Sequence, residues 1–274
     1  MKNVFVTGSF DNLRSWHIRL LDEASRLGAL TVRLWSDPTV ERLEGHAPRF
    51  PLDERLYILN AIRYVSYVEI CPDEVVQPET LPCVSGIQPD VWVLDEGSDS
   101  PAKRAFCEEN GIEYVVIPET SLCEFPAWHP AQEYPKSSRK KVIVTGCFDW
   151  LHSGHVRFFE EVSALGELFV GVGHDANLRL LKGEGHPLFP EAERRYMVQS
   201  IRFVKEALIT SGNGWMDAEP EIKRVGIDAY AVNDDGDKPE KRAFCAEHGL
   251  EYVVLKRTPA PGLPKRQSTD LRGF

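Results

Sequence analysis

Apolar residues along this chain recur in two alternating rhythms. Short runs of consecutive Val, Ile, Leu and Phe, the pattern of a strand buried on both faces, alternate with stretches whose apolar positions return every three or four residues, the pattern of a helix. NVFVTG, LTVRLW, YVEI, DVWVLD and EYVVI supply five such strands in the first half, and KVIVTG, ELFVGVG, EALIT, DAYAV and EYVVL five in the second. After KVIVTG, Val156, Phe159, Val162 and Leu165 keep helical spacing, and Gly166 is expected to stop that helix. Strands alternating with helices predict parallel sheets covered on both faces. Four crossovers in each half give a doubly wound, five-stranded α/β sheet, twice over.

The two halves are copies of one another. VTGSFD at Val6 matches VTGCFD at Val144, IRYV at Ile62 matches IRFV at Ile201, and KRAFCEENGIEYVVI at Lys103 matches KRAFCAEHGLEYVVL at Lys241. The register between them changes by a single inserted residue, so the chain is a duplicated domain. The expected organisation is a first domain over 1–118, a linker over 119–140 and a second domain over 141–274. The linker assignment rests on the prolines and the polar, basic end of PETSLCEFPAWHPAQEYPKSSRK, whose aromatics Phe125, Trp128 and Tyr134 are expected to pack on a domain surface.

Composition narrows the partners. A net charge of -10 over 274 residues argues against a nonspecific nucleic-acid surface, so an anionic ligand must be met by local cations. No apolar run reaches about 18 residues, so no membrane span is expected. The N-terminus lacks the pattern of a signal peptide, and none of the six cysteines sits in a CxxC pair. Reduced thiols and a cytoplasmic location are the expectation.

The chemistry concentrates where the first strand of the second copy meets its helix. Ligands of open α/β sheets bind beyond the carboxyl ends of strands, and HSGH lies there, with His152 and His155 on one face of the first helical turn and Gly154 between them. Two imidazole donors beside the positive end of a helix suit a phosphate that gains charge in a transition state, with Gly154 letting it approach. GVGHDA, Gly171 to Ala176, fits a dinucleotide fingerprint but follows the second strand of its unit rather than the first. Cys147 has Ser9 at its place in the first copy and is read as a packing residue.

The segment TGCFD followed by HSGH resembles the signature of the cytidylyltransferase-like nucleotidyltransferases, and the resemblance spans both copies. It continues through LRLLKG, EAERRYMVQSIRFV and the terminal RTPAPGLPKRQSTDL, although a longer, proline-rich stretch separates Arg257-Thr258 from Ser268-Thr269 and Gln267 replaces a serine. The resemblance implies a Rossmann-like fold and in-line transfer of a nucleotidyl group from a nucleoside triphosphate to a small phosphorylated acceptor, with Mg²⁺ accompanying the triphosphate. His152, His155 and Lys182 would be catalytic. Thr145, Gly146, Cys147, Phe148, Asp149, Gly154, Arg194, Arg202, Arg257, Thr258, Ser268 and Thr269 would bind the nucleotide, with Asp175, Asp234 and Asp235 near substrate or metal.

Among branches, EAERRYMVQSIRFV and STDL are most similar to phospho-alcohol cytidylyltransferases, including the tandem-domain ethanolamine-phosphate type, which favours CTP. LRLLKGEGHP is similar also to sugar-phosphate adenylyltransferases, which keeps ATP as the alternative. A noncatalytic nucleotide-sensing module is a third reading, and it suits the first copy better. There Arg14, Ser15, Trp16 and His17 stand for HSGH, and Glu44 stands for Lys182. Trp16 is expected to fill the space that glycine leaves, and Glu44 to repel phosphate. The first copy is therefore expected to be silent, to serve as the other half of an intramolecular pseudo-dimer, or to hold an anionic regulator through Arg14 and His17.

Overall fold

The computed structural model describes residues 1–73, 76–81, 86–268 and 271, and divides into two compact units, Met1–Phe125 and Pro126–Phe274. The ten strands expected from the apolar runs are all present. The first unit contains β1 (Asn3–Gly8), α1 (Ser15–Ser25), β2 (Ala29–Trp35), α2 (Asp37–Glu44), α3 (Leu52–Ala61), β3 (Tyr67–Cys71), β4 (Val91–Asp95), α4 (Pro101–Asn110), β5 (Glu113–Ile117) and α5 (Glu119–Cys123). The second contains β6 (Lys141–Gly146), α6 (Ser153–Ser163), β7 (Glu167–Val172), α7 (Asp175–Lys182), α8 (Glu191–Gln199), β8 (Val204–Ile209), α9 (Glu219–Val225), β9 (Ala229–Asn233), α10 (Pro239–His248) and β10 (Glu251–Leu255).

Both sheets are parallel and share one topology, β3-β2-β1-β4-β5 and, in mirror listing, β10-β9-β6-β7-β8. The central strands β1 and β6 are flanked on both sides and covered on both faces, which is why Val4, Phe5, Val142, Ile143 and Val144 are fully buried and why their sequences do not alternate. The chain leaves β6 toward β7 and β8, then returns to β9 on the other side. The helices after β6 and β9 therefore diverge above the sheet and leave a crevice at the carboxyl ends of these two strands.

Gly166 acts differently from its expected role. Helix α6 ends at Ser163 with Ala164 in right-handed geometry, and a Cβ on Gly166 would stand 2.2 Å from the carbonyl oxygen of Lys140. Gly28 makes the same approach to Lys2. Each glycine lets the entrance to the second strand of its unit pass against the entrance to the first.

The stretch read as a linker is structured at both ends. Helix α5 belongs to the first unit, where the Ser121 carbonyl accepts from Arg19 Nε at 3.2 Å. Trp128 and Tyr134 pack on the core of the second unit, and the Tyr134 hydroxyl donates to Glu206 at 3.0 Å. The five described cysteines are free thiols, and among the described residues no helix is long and apolar enough to cross a membrane. Cys83 lies outside the described residues.

Candidate active site

Strand β6 ends at Gly146, and the chain then turns through Phe148 at φ +53°, a left-handed conformation that a phenylalanine adopts only under tertiary constraint. Its ring lies against Gly146, where a Cβ would come within 2.8 Å of it. Phe10 in the first unit takes the same strained turn at φ +48°. The turn brings the chain to His152, the residue that caps α6.

The His152 imidazole is fully buried and accepts the Gly154 backbone N–H at Nδ1, 3.1 Å away. Its Nε2, which then carries the proton, faces the Ser268 hydroxyl at 3.4 Å. Gly154 is needed for that cap, because a Cβ there would lie 3.0 Å from the imidazole. The amide at the mouth of the helix is thus spent on His152 rather than left open for a phosphate. His155 stacks on His152 with ring centres 3.9 Å apart, and the Phe148 ring meets it edge-on.

Burial, reinforced by the Arg257 charge, lowers the His155 pKa from 6.5 to about 3, and burial likewise pushes His152 down, with the neighbouring His155 and the Arg257 charge adding to it. Both imidazoles are therefore neutral at pH 7 and act as hydrogen-bonding groups. Their protons bind more readily to the unfolded chain, so the stability they favour is intact above pH 6.5 and falls as pH drops toward 3. Denaturant titrations from pH 7 to pH 4 should show this loss, and a His155→Gln variant should show a shallower one.

A cleft of about 300 Å³ opens at the β6–β9 crevice. Thr145, Gly146, Cys147, Phe148 and Asp149 form one wall, Gly154 and His155 the floor of the helix mouth, and Lys182, at the end of α7, the side toward β7. Asp235, Arg257 and Ser268 close the opposite side. Among the described residues the Lys182 ammonium has no ion-pair partner, whereas Arg257 pairs with Asp235 and donates to the Arg266 carbonyl at 3.2 Å. The cleft thus collects neutral donors and three cations, Lys182, Lys241 and Arg257, around one volume.

Several expected ligands are committed elsewhere. Arg194, 1% exposed, donates to the carbonyls of Phe189, Cys147 and Gly173 and to the Asp175 carboxylate, at 2.7 to 2.8 Å. Arg55 does the same in the first unit, bridging Phe50, Ser9, Trp35 and Asp37. Asp149, though on the cleft wall, accepts the backbone amides of Leu188 and Phe189, as Asp11 accepts those of Arg49 and Phe50. These residues hold the loops above the sheet together, and Arg194 and Asp175 do not line the cleft.

Arg202 is exposed and precedes the amino end of β8, so it lies at the opposite edge of the sheet from the crevice. Asp234 accepts the Asp235 amide within a single 3-10 turn, Asp234–Gly236, and Thr258 borders a smaller cavity beside the cleft. Thr269 lies outside the described residues. The Thr145 hydroxyl is hydrogen-bonded to that of Tyr230. Burial raises the Cys147 thiol pKa, against the opposing charges of Lys182 and Arg194, which keeps it from acting as a thiolate.

The GVGHDA glycines serve packing. A Cβ on Gly171 would crowd Thr145 and Thr210, and His174 caps α7 by accepting the Asn177 amide at 3.2 Å. Sequence reasoning overlooked Trp150, Phe158, His186, Asn233 and Lys241, all of which line the cleft. Lys241 carried a signal, since KRAFC occurs in both copies.

In the first unit, Trp16 stacks on His17 with centres 3.5 Å apart, and His17 Nδ1 accepts the Arg14 amide at 3.0 Å. The imidazole that corresponds to His155 is thus used as a helix cap, and burial lowers its pKa to about 3.

Comparison with known proteins gives the following. The family model described as cytidylyltransferase-like matches residues 5–142 and 143–259. The FAD synthase of Methanocella paludicola is 31% identical over 137 residues, 48% of this chain and 93% of that protein. The FAD synthase of Ferroglobus placidus is 44% identical over 120 residues, 43% of this chain and 75% of that protein. The bifunctional protein HldE of a Nitratiruptor species is 36% identical over 80 residues, 29% of this chain, and the match spans only 17% of HldE.

Proposed function

Because this chain belongs to the cytidylyltransferase-like family, we propose that its second unit transfers a nucleotidyl group from a nucleoside triphosphate to a small phosphorylated acceptor, releasing pyrophosphate. The observation that carries this reading is the meeting of His155, Lys182 and Arg257 around one cleft at the crevice between β6 and β9. An acceptor phosphate oxygen attacks the α-phosphorus, the bond to the bridging oxygen breaks, and the electron pair leaves with pyrophosphate. The chain's contribution is positioning and charge compensation, and no covalent enzyme intermediate is needed.

The proposed roles draw on where each side chain lines the cleft. Lys182 offsets charge on the leaving phosphates from the β7 side, and Arg257 does so from the C-terminal segment once it exchanges Asp235 for the ligand. His155, neutral, donates an N–H to a phosphoryl oxygen. His152 is a positioning residue, since it caps the helix and stacks behind His155. Asp149 and Asp235 are the carboxylates among the described cleft-lining residues, and both are engaged by the chain itself. Magnesium is accordingly assigned to the phosphate oxygens, as part of the nucleotide substrate.

The nucleotide choice moves from CTP toward ATP. The motifs at the C-terminus favour the cytidylyl branch, but relatives that match up to 44% are named for FAD, a product that contains an adenylyl group. An adenylyl transfer to a phosphorylated acceptor is therefore the preferred form. Pyrophosphate release, measured with ATP, CTP, GTP and UTP against flavin mononucleotide, sugar phosphates and phospho-alcohols, tests it. Release that is strongest with ATP supports the reading, and release with CTP alone restores the cytidylyl form. The first unit is proposed to be noncatalytic, so His17→Ala should leave turnover nearly unchanged. A loss comparable to that of His155→Ala would overturn that assignment.

A further inference from the structure

The two units treat one corner in opposite ways. In the first, Asp95 at the end of β4 accepts the backbone amide of Ser98 at 3.0 Å and its hydroxyl at 2.7 Å, and the Lys103 ammonium donates to the Ser98 carbonyl at 2.5 Å. Ser100 caps α4. Every polar group named here finds a partner within the chain.

In the second unit the same positions carry Asn233, Gly236, Lys238 and Lys241. Gly236 supplies no hydroxyl, and Lys238 makes no side-chain cap on α10. Asn233 Oδ1 is sealed from solvent without a hydrogen-bond partner. Lys241 is 8% exposed and lies over the Tyr230 ring at 5.3 Å, and among the described residues its ammonium has no hydrogen bond or ion pair. Burial lowers its pKa. Both side chains line the cleft. An orphaned buried acceptor and an unpaired buried cation are each costly, and together they describe the complement of a ligand.

The chemistry of that ligand follows from the pair. A phosphate would satisfy Lys241 but offers no N–H to the Asn233 oxygen. The edge of a nucleobase, an N–H donor beside a ring nitrogen or carbonyl, offers a donor to Asn233 and an acceptor to Lys241. The sheet order places this corner on the β9 side of β6, whereas Lys182 follows β7 on the other side. A triphosphate held near Lys182 and His155 can therefore extend its nucleoside toward β9. We infer that Asn233 and Lys241 form the base-binding subsite of the second unit. This rests on the nucleotidyltransferase reading above.

The test is equilibrium binding of ATP, CTP, GTP, UTP and inorganic tripolyphosphate to the full chain and to Asn233→Leu and Lys241→Met, with Asn233→Asp as a milder variant and circular dichroism as the folding control. Wild-type protein should bind its preferred nucleoside triphosphate more tightly than tripolyphosphate. Asn233→Leu and Lys241→Met should weaken the preferred nucleotide by about thirtyfold, the size expected when a buried polar partner is lost, and leave tripolyphosphate unchanged. Equal losses for tripolyphosphate would make the corner a phosphate site and overturn the inference. Unchanged nucleotide binding in folded variants would overturn it while leaving the proposed reaction standing. A wild-type chain that binds no nucleotide would overturn both.

Discussion

Lys182→Ala and His155→Ala should each lower turnover by at least about a hundredfold while the second unit remains folded. The size follows from what each side chain does. A preorganised donor or cation aimed at developing phosphoryl charge typically contributes about a hundredfold to a thousandfold in rate, because it acts in a partly desolvated cleft without reorganising. Lys182 lies at the end of its helix, with no ion pair among the described residues, so its removal costs the fold little. His155 is more deeply packed, stacked on His152 and edge-on to Phe148. His155→Gln, which retains a donor, is the control that separates lost chemistry from lost packing. Steady-state pyrophosphate release reads the rate, and thermal unfolding reads the fold. A loss below about tenfold at both positions would remove the charge-compensation account.

The second large effect is on stability. Arg194→Met should destabilise the second unit by about 3–5 kcal/mol, the range for breaking a buried, multiply bonded charge, and Arg55→Met should do the same to the first unit. Each guanidinium is almost wholly buried and joins three separate loops above its sheet through backbone carbonyls, with one carboxylate as counter-ion. Methionine fills the volume but leaves those carbonyls without donors. The two substitutions differ in their consequence for catalysis. Arg194→Met loosens the turn that carries Cys147 and Phe148, so turnover should fall with stability, whereas Arg55→Met should leave the reaction intact below the melting point of the first unit. Denaturant unfolding of each variant, followed by circular dichroism, checks the magnitude. A change below about 1 kcal/mol would mean that water replaces the guanidinium at little cost.

The sheets were legible because a central parallel strand must be apolar along its whole length, and runs such as VFV and VIV admit few other readings. The duplication set the topology of one unit by that of the other. His155, Lys182 and Arg257 could be found because their motifs fall at the carboxyl edge of the sheet. Arg194 and Asp149 could not be placed correctly by motif, since a charged residue in sequence does not show whether it ends on a ligand or on backbone groups. Their counterparts Arg55 and Asp11, kept in a copy that lacks HSGH, were the available clue. Arg202 was misplaced for a simpler reason, as it sits at the entrance of its strand and not at its exit. Lys241 was missed because a lysine near the start of a helix ordinarily belongs to solvent. Only the sealed corner of the first unit shows what its second copy leaves open.

The fate of the α-phosphate tests the central claim most directly. With nucleotide labelled at the α-phosphorus and a productive phosphorylated acceptor, the account predicts that label enters the acceptor product while unlabelled pyrophosphate is released, and that Lys182→Ala abolishes both together. Label left in a nucleoside diphosphate, with the γ-phosphate passed to the acceptor, would contradict it.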